Sequence, residues 1–119
     1  MKRILNAFGH SLNGLAAIWK SEIAFRQEII LCFALFIVIF FLPVDYLAKV
    51  AMFFSLTLIL IVELINSAIE IIIDRISENN HPLSKKAKDV GSALVLMAFT
   101  NAIVIWIIIL VKNACNNQA

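Results

Sequence analysis

The pattern of apolar and polar positions changes character several times along the chain. Across residues 1–22, Ile4, Leu5, Phe8, Leu12, Leu15 and Trp19 fall within an arc of about 100° when each residue advances by the helical angle. Lys2, Asn6, His10, Asn13 and Lys20 lie on the opposite side. The pattern predicts an amphipathic helix lying in the plane of a membrane surface with its apolar stripe inward. From Ile29 to Leu42 the chain is continuously apolar. That run alone is too short to cross roughly 30 Å of hydrocarbon, so residues 23–28 serve as its wetter end and the first span covers 23–42. Pro43 and Asp45 punctuate a turn. A second span follows over 47–73, then a polar, proline-containing stretch at 74–89 that reads as a surface loop, then a third span over 90–111 and a polar tail. The expected fold is a single all-α membrane domain of one surface helix and three transmembrane helices.

Composition agrees with this and closes other routes. The chain has 119 residues, 62% hydrophobic and 15% charged, where a soluble domain is about 45–50% apolar and about 25% charged. A domain of this length leaves too much surface exposed to hide that apolar excess from water. The net charge of +2 is dispersed, so no basic patch of nucleic-acid size exists and no nucleic-acid partner is expected. Three glycines cannot supply a GxxxxGK or GxGxxG phosphate loop. Cys32 and Cys115 have no spacing suited to a metal or a disulfide framework.

Charge also orients the chain. Lys2, Arg3, Lys20, Arg26, Arg75, Lys85, Lys86 and Lys88 fall on one side of the expected topology, against only Lys49 and Lys112 on the other. The positive-inside rule then assigns the N-terminal helix and the 74–89 loop to the cytoplasm and the C-terminus to the opposite side.

The chemistry concentrates on the second span. Glu63, Asn66, Ser67, Glu70 and Asp74 share one face of about 100° on a helix, and the opposite face of the 62–74 stretch is almost entirely Leu and Ile. One ionised carboxylate near the bilayer centre costs about 2.5–3.5 kcal/mol on insertion scales, so a stripe of them must meet cations, metal or water. A seam of Asn and Ser would join helices at lower cost. Repeated carboxylates point instead to a cation, with Mg²⁺ expected because it takes one or two protein carboxylates and fills its shell with water and phosphate oxygens. Glu22 and Arg26, one turn apart, and Lys88, Asp89 and Ser92 enter at the same level. Metal carboxylates, a lysine and a base suffice for phosphoryl transfer, which depends on positioning and charge neutralisation. Glu63 lies roughly 10 Å deeper than Glu70 along the axis. The shallower carboxylate would meet a nucleotide's metal, and the deeper one a hydroxyl arriving from the lipid.

The segment Glu63-Leu-Ile-Asn66-Ser67-Ala-Ile-Glu70, with Asp74-Arg75, Ala87-Lys88-Asp89 and Gly91-Ser92, resembles the small prokaryotic diacylglycerol kinases. The upstream Trp19-Lys-Ser-Glu22-Ile-Ala-Phe25-Arg26-Gln27-Glu28 is similar to their Gram-negative branch. The resemblance implies a homotrimeric helical bundle in the bacterial inner membrane, with active sites shared between protomers and ATP- and Mg²⁺-dependent phosphorylation of diacylglycerol to phosphatidic acid. It implies Glu63 as general base and Glu22 and Glu70 as metal carboxylates. Nucleotide contact would involve Arg3, His10, Glu22, Asn66, Glu70, Asp74, His81, Lys88 and Asp89. Lipid contact would involve Trp19, Phe25, Arg26, Glu28, Lys49, Glu63, Ser92 and Trp106. His10 and Asn80 stand where the family has tyrosines, Pro82 follows the loop histidine, and Lys49 stands where arginine is frequent. Two alternatives remain open at this point: the same chemistry on undecaprenol, and a non-catalytic, ion-conducting membrane oligomer.

Overall fold

The computed structural model describes residues 1–76 and 80–118, and these form four helices: α1 (Lys2–Ser21), α2 (Ile23–Phe41), α3 (Tyr46–Ile76) and α4 (Pro82–Gln118). No strand occurs among the described residues. α2, α3 and α4 are each long and apolar enough to cross a membrane. Many large apolar side chains stand on the outside, Phe40 at 74% and Leu47 at 78% exposure among them. In water that surface would aggregate; in lipid it is the solvated face. The chain is a membrane protein.

α3 is the central helix, packing against both α4 and α2, while α1 rests chiefly on α2. The core joins Cys32 and Ile39 of α2, Met52, Leu56, Ile59 and Val62 of α3, and Ala98 and Ala102 of α4. Gly91, Ala98 and Ala102 line the α4 face toward α3, and small residues there let two helix backbones approach closely. Within the membrane one polar relay ties the pair: Trp106 Nε1–H donates to Ser55 Oγ at 3.1 Å, and the Ser55 hydroxyl donates to the Met52 carbonyl at 2.6 Å.

The turns explain the helix ends. Glu22 adopts an extended conformation (φ −116°, ψ 106°) and separates α1 from α2, its carbonyl accepting the Arg26 N–H at 3.3 Å. At the far end, the Asp45 carboxylate caps α3 through the Ala48 N–H at 2.8 Å, and Lys49 Nζ donates to the last turn of α2 at the Phe40 carbonyl, 3.0 Å away.

The 74–89 loop expected from the sequence is much shorter. α3 continues through Asp74 and Arg75 to Ile76, and α4 begins at Pro82, so Lys85, Lys88 and Asp89 are helical. Residues 77–79 lie outside the described residues. Two local forces extend α4: proline at the first helical position is pre-organised, and His81 Nδ1 accepts the Leu83 N–H at 3.1 Å as a cap. Asp89 lies inside α4 and pairs with Lys85 at 2.7 Å. The polar C-terminal tail is helical too, through Gln118. Loss of hydropathy marked where lipid ends, not where the helix ends.

Candidate active site

Because α3 packs against two helices, its polar stripe points into the bundle instead of toward lipid. Burial grades along it: Glu63 is 9% and Ser67 2% exposed, Asn66 and Glu70 are half-buried, and Asp74 is open. The stripe thus runs from a dry inner end to a wet outer one.

Both neighbours of α3 add polar groups. From α2, Glu28 brings a carboxyl near enough for its charge to act on Glu63. Glu22, at the α1–α2 junction, and Glu70 both lie near enough to act on the Glu63 charge. From α4, Lys88 Nζ donates to Asp74 Oδ1 at 2.7 Å across the helix pair. That hydrogen bond, reinforced by the Asp74 and Glu70 charges, holds the Lys88 ammonium above its ordinary range, so the lysine is cationic throughout physiological pH.

At Gly91, α4 lies against α3 with no room for a side chain. A Cβ there would collide with Asn66 Oδ1, an oxygen that is buried and accepts no hydrogen bond. Gly91 therefore sets the separation at which Lys88 reaches Asp74. Gly91→Ala is expected to destabilise the bundle by about 1–3 kcal/mol through overpacking and to displace Asn66. Thermal denaturation in detergent reads this, and an unchanged midpoint would show that the helices part freely at this level.

Other residues singled out by sequence are not brought to this cluster by their own chain. Arg3 and His10 lie exposed on α1, about 28 Å and about 18 Å along the helix from Glu22. Trp19 is 41% exposed on the same helix, whereas Phe25 is buried at 2%. Arg26 is half-buried next to Glu22, and Ser92 is exposed on α4. Lys49 is engaged with α2 at the opposite end of the bundle, about 21 Å along α3 from Glu63. His81 caps α4 through Nδ1. Asp89 pairs with Lys85 on the exposed side of α4.

Trp106 and Glu28, both expected at the lipid, do share a feature. They line one cavity of about 250 Å³ between the three long helices, together with Leu31, Cys32, Leu56, Phe99 and further apolar groups. Sequence reasoning grouped Glu28 with the lipid contacts but missed that its charge acts on Glu63. It also missed the Asn66 clearance at Gly91 and the Lys88–Asp74 pair, since all three depend on how separate helices register.

Comparison with known proteins points to one family. The sequence model described as "Prokaryotic diacylglycerol kinase" matches residues 9–110. The chain belongs to the prokaryotic diacylglycerol kinase family. Within it, the chain is 44% identical to the diacylglycerol kinase of Escherichia coli over 108 residues, which is 91% of this chain and 88% of that one. It is 49% identical to the diacylglycerol kinase of Pseudomonas aeruginosa over 110 residues, covering 92% and 89%. The diacylglycerol kinase of Haemophilus influenzae is 38% identical over 106 residues, covering 89% and 90%. As a member of the family this chain is a kinase, with ATP as co-substrate.

The carboxylates suit the metal that such a kinase would use. Among the described residues no three His, Cys, Asp or Glu side chains converge into a closed metal cage. Mg²⁺ does not require one, since one or two carboxylates with phosphate and water complete its octahedron. Glu22 and Glu70, flanking Glu63 on the wetter side, fit that requirement.

Proposed function

We propose that this protein phosphorylates diacylglycerol at the membrane surface, with Glu63 taking the proton from the lipid hydroxyl. The observation that carries this reading is the meeting of two environments: a carboxylate and lysine cluster at one end of the bundle, and an apolar cavity between the three long helices that Glu28 lines. The acceptor oxygen forms a bond to the γ-phosphorus of ATP as the bond from that phosphorus to the bridging oxygen breaks. ADP leaves with the electron pair, the hydroxyl proton passes to Glu63, and the lipid product is phosphatidic acid. Depth supports this role: Glu63 is buried at the dry end of the stripe, where a lipid hydroxyl would meet it with little competition from bulk water.

Glu22 and Glu70 would hold Mg²⁺, which when bound neutralises charge on the phosphates. Lys88 supplies a fixed cation for the same phosphates once Asp74 releases it, and Asn66 and Asp74 support the polar wall. The charge bias orients α1 and the α3–α4 turn toward the cytoplasm, where ATP is found, and the C-terminus toward the periplasm, in the inner membrane. Arg3 and His10 lie too far from Glu63 in their own chain to share its nucleotide. A homotrimer resolves this: α1 of one protomer would serve the site of its neighbour, and the unpartnered apolar faces would be covered in part by other copies.

Phosphorylation rates with diacylglycerol and undecaprenol, measured side by side in mixed micelles, test the acceptor. Diacylglycerol is expected to be faster. The reverse order would assign the chain to polyprenol phosphorylation with the same machinery.

A further inference from the structure

At the end of the bundle remote from the carboxylate stripe, the turn before α3 and the last turns of α4 enclose a second cavity, of about 490 Å³. That volume falls within the range of about 300–1,000 Å³ that small-molecule sites occupy. Along α4 its lining passes from apolar Ile108 and Ile109 outward to Lys112, Asn113 and Asn116, and the facing wall ends outward at Asp45. The apolar run of α4 stops at Val111, so the change from apolar to polar lining falls where hydrocarbon gives way to headgroups. Lys112 and Asp45 carry opposite charges and do not pair: the ion pairs among the described residues are Lys85–Asp89 and Lys88–Asp74. Asp45 gives Oδ1 to the Ala48 N–H at 2.8 Å, and its second oxygen accepts no hydrogen bond among the described residues. Lys49, the other cation at this end, is engaged at the Phe40 carbonyl, 3.0 Å away, with its ammonium 6.0 Å from the Phe40 ring centre. Lys112 is therefore the cation open to a ligand here.

We infer that this cavity is a binding site for a zwitterionic phospholipid whose headgroup carries a primary ammonium. Lys112 and the amides of Asn113 and Asn116 take the phosphate, Asp45 takes the ammonium, and the acyl chains follow the apolar wall at Ile108 and Ile109. Charge complementarity selects this class. An anionic headgroup would satisfy Lys112 and place its excess charge beside Asp45, and a cationic one would do the reverse. A zwitterion satisfies both, and a primary ammonium brings the N–H donors that a carboxylate oxygen accepts in a charge-assisted hydrogen bond. Such a lipid is not the phosphoryl acceptor, because the first residue of α3, Tyr46, stands about 26 Å along the axis from Glu63. It would instead clamp the outer ends of α3 and α4 together, stabilising the folded bundle by mass action. The inference is independent of the kinase reading and needs only the helices and their place in lipid.

Native mass spectrometry of the full-length protein in detergent tests this, with phosphatidylethanolamine, phosphatidylglycerol and phosphatidylcholine of one acyl composition titrated separately. The three share their chains and phosphate and differ in what faces Asp45: a primary ammonium, a neutral glycerol, or a quaternary ammonium without N–H. Wild type is expected to bind phosphatidylethanolamine about tenfold more tightly than either of the others, on the scale of one hydrogen bond to a charged group. Asp45→Asn keeps the α3 cap, since Asn serves there as well as Asp, and should reduce phosphatidylethanolamine to the level of phosphatidylglycerol. Lys112→Gln should weaken both lipids by about tenfold. Equal affinity of wild type for all three headgroups would overturn the inference. So would a preference for phosphatidylethanolamine that survives in D45N, or binding left unchanged in K112Q. The readout needs neither ATP nor turnover, so its failure is distinct from a failure of the kinase reading.

Discussion

Glu63→Gln is expected to lower lipid phosphorylation by about 10²–10⁴-fold, the range that a positioned general base contributes. The substitution preserves length and the capacity to pack, and it removes the group that accepts the hydroxyl proton. Glu63 sits at 9% exposure inside the bundle, so a neutral amide should be accommodated there at no cost in folding. The bundle should therefore denature in detergent at or above the wild-type temperature. Removing one of four neighbouring carboxylates, Glu22, Glu28, Glu63 and Glu70, relieves like-charge crowding. Activity and stability are expected to move in opposite directions. A variant with near-normal turnover would show that the proton goes elsewhere.

The second large effect is on the cation. Glu70 lies two turns outward from Glu63, half-buried, and its charge reaches both Glu63 and Lys88. If it holds Mg²⁺ with Glu22, then Glu70→Gln should raise the Mg²⁺ concentration for half-maximal rate by about 10–100-fold, the scale on which groups supporting a metal site act. The maximal rate should be partly recovered at high Mg²⁺. Titration of the variant with Mg²⁺ at saturating ATP reads both quantities, and a curve superimposable on wild type would remove Glu70 from the metal.

Much of this architecture was legible in the sequence because lipid is a demanding solvent. Spans at 23–42, 47–73 and 90–111 follow from apolar run length, and the observed helices contain them: α2 to within one residue, α3 and α4 with extensions. The extensions were illegible for a physical reason. Asp74, Arg75, Lys85, Lys88 and Asp89 look like loop by hydropathy, yet all are compatible with a helix outside the bilayer, and the Lys85–Asp89 spacing favours one. Pro82 could stop a helix or start one, and its position directly after the His81 cap makes it a start.

The carboxylate stripe was equally legible, since spacing on one helix fixes which residues share a face. Contacts between helices were not. Nothing in the spacing of Glu28 and Glu63, or of Asp74 and Lys88, states the register at which α2 and α4 meet α3. The clue that could have been read is Gly91: a glycine inside an apolar helix marks a close approach, and here the approach is to Asn66. The α1 residues are the converse case. Arg3 and His10 were grouped with the nucleotide by resemblance, and the length of α1 carries them away from their own chain's site.

The central claim is that the few charged groups of this apolar bundle transfer phosphate from ATP to a lipid alcohol. Purified protein in mixed micelles with γ-labelled ATP, Mg²⁺ and diacylglycerol tests it directly. Label appearing in phosphatidic acid, dependent on Mg²⁺ and abolished by Glu63→Gln, is the predicted result. Label confined to ATP and inorganic phosphate, with no lipid alcohol accepting it, would contradict the account.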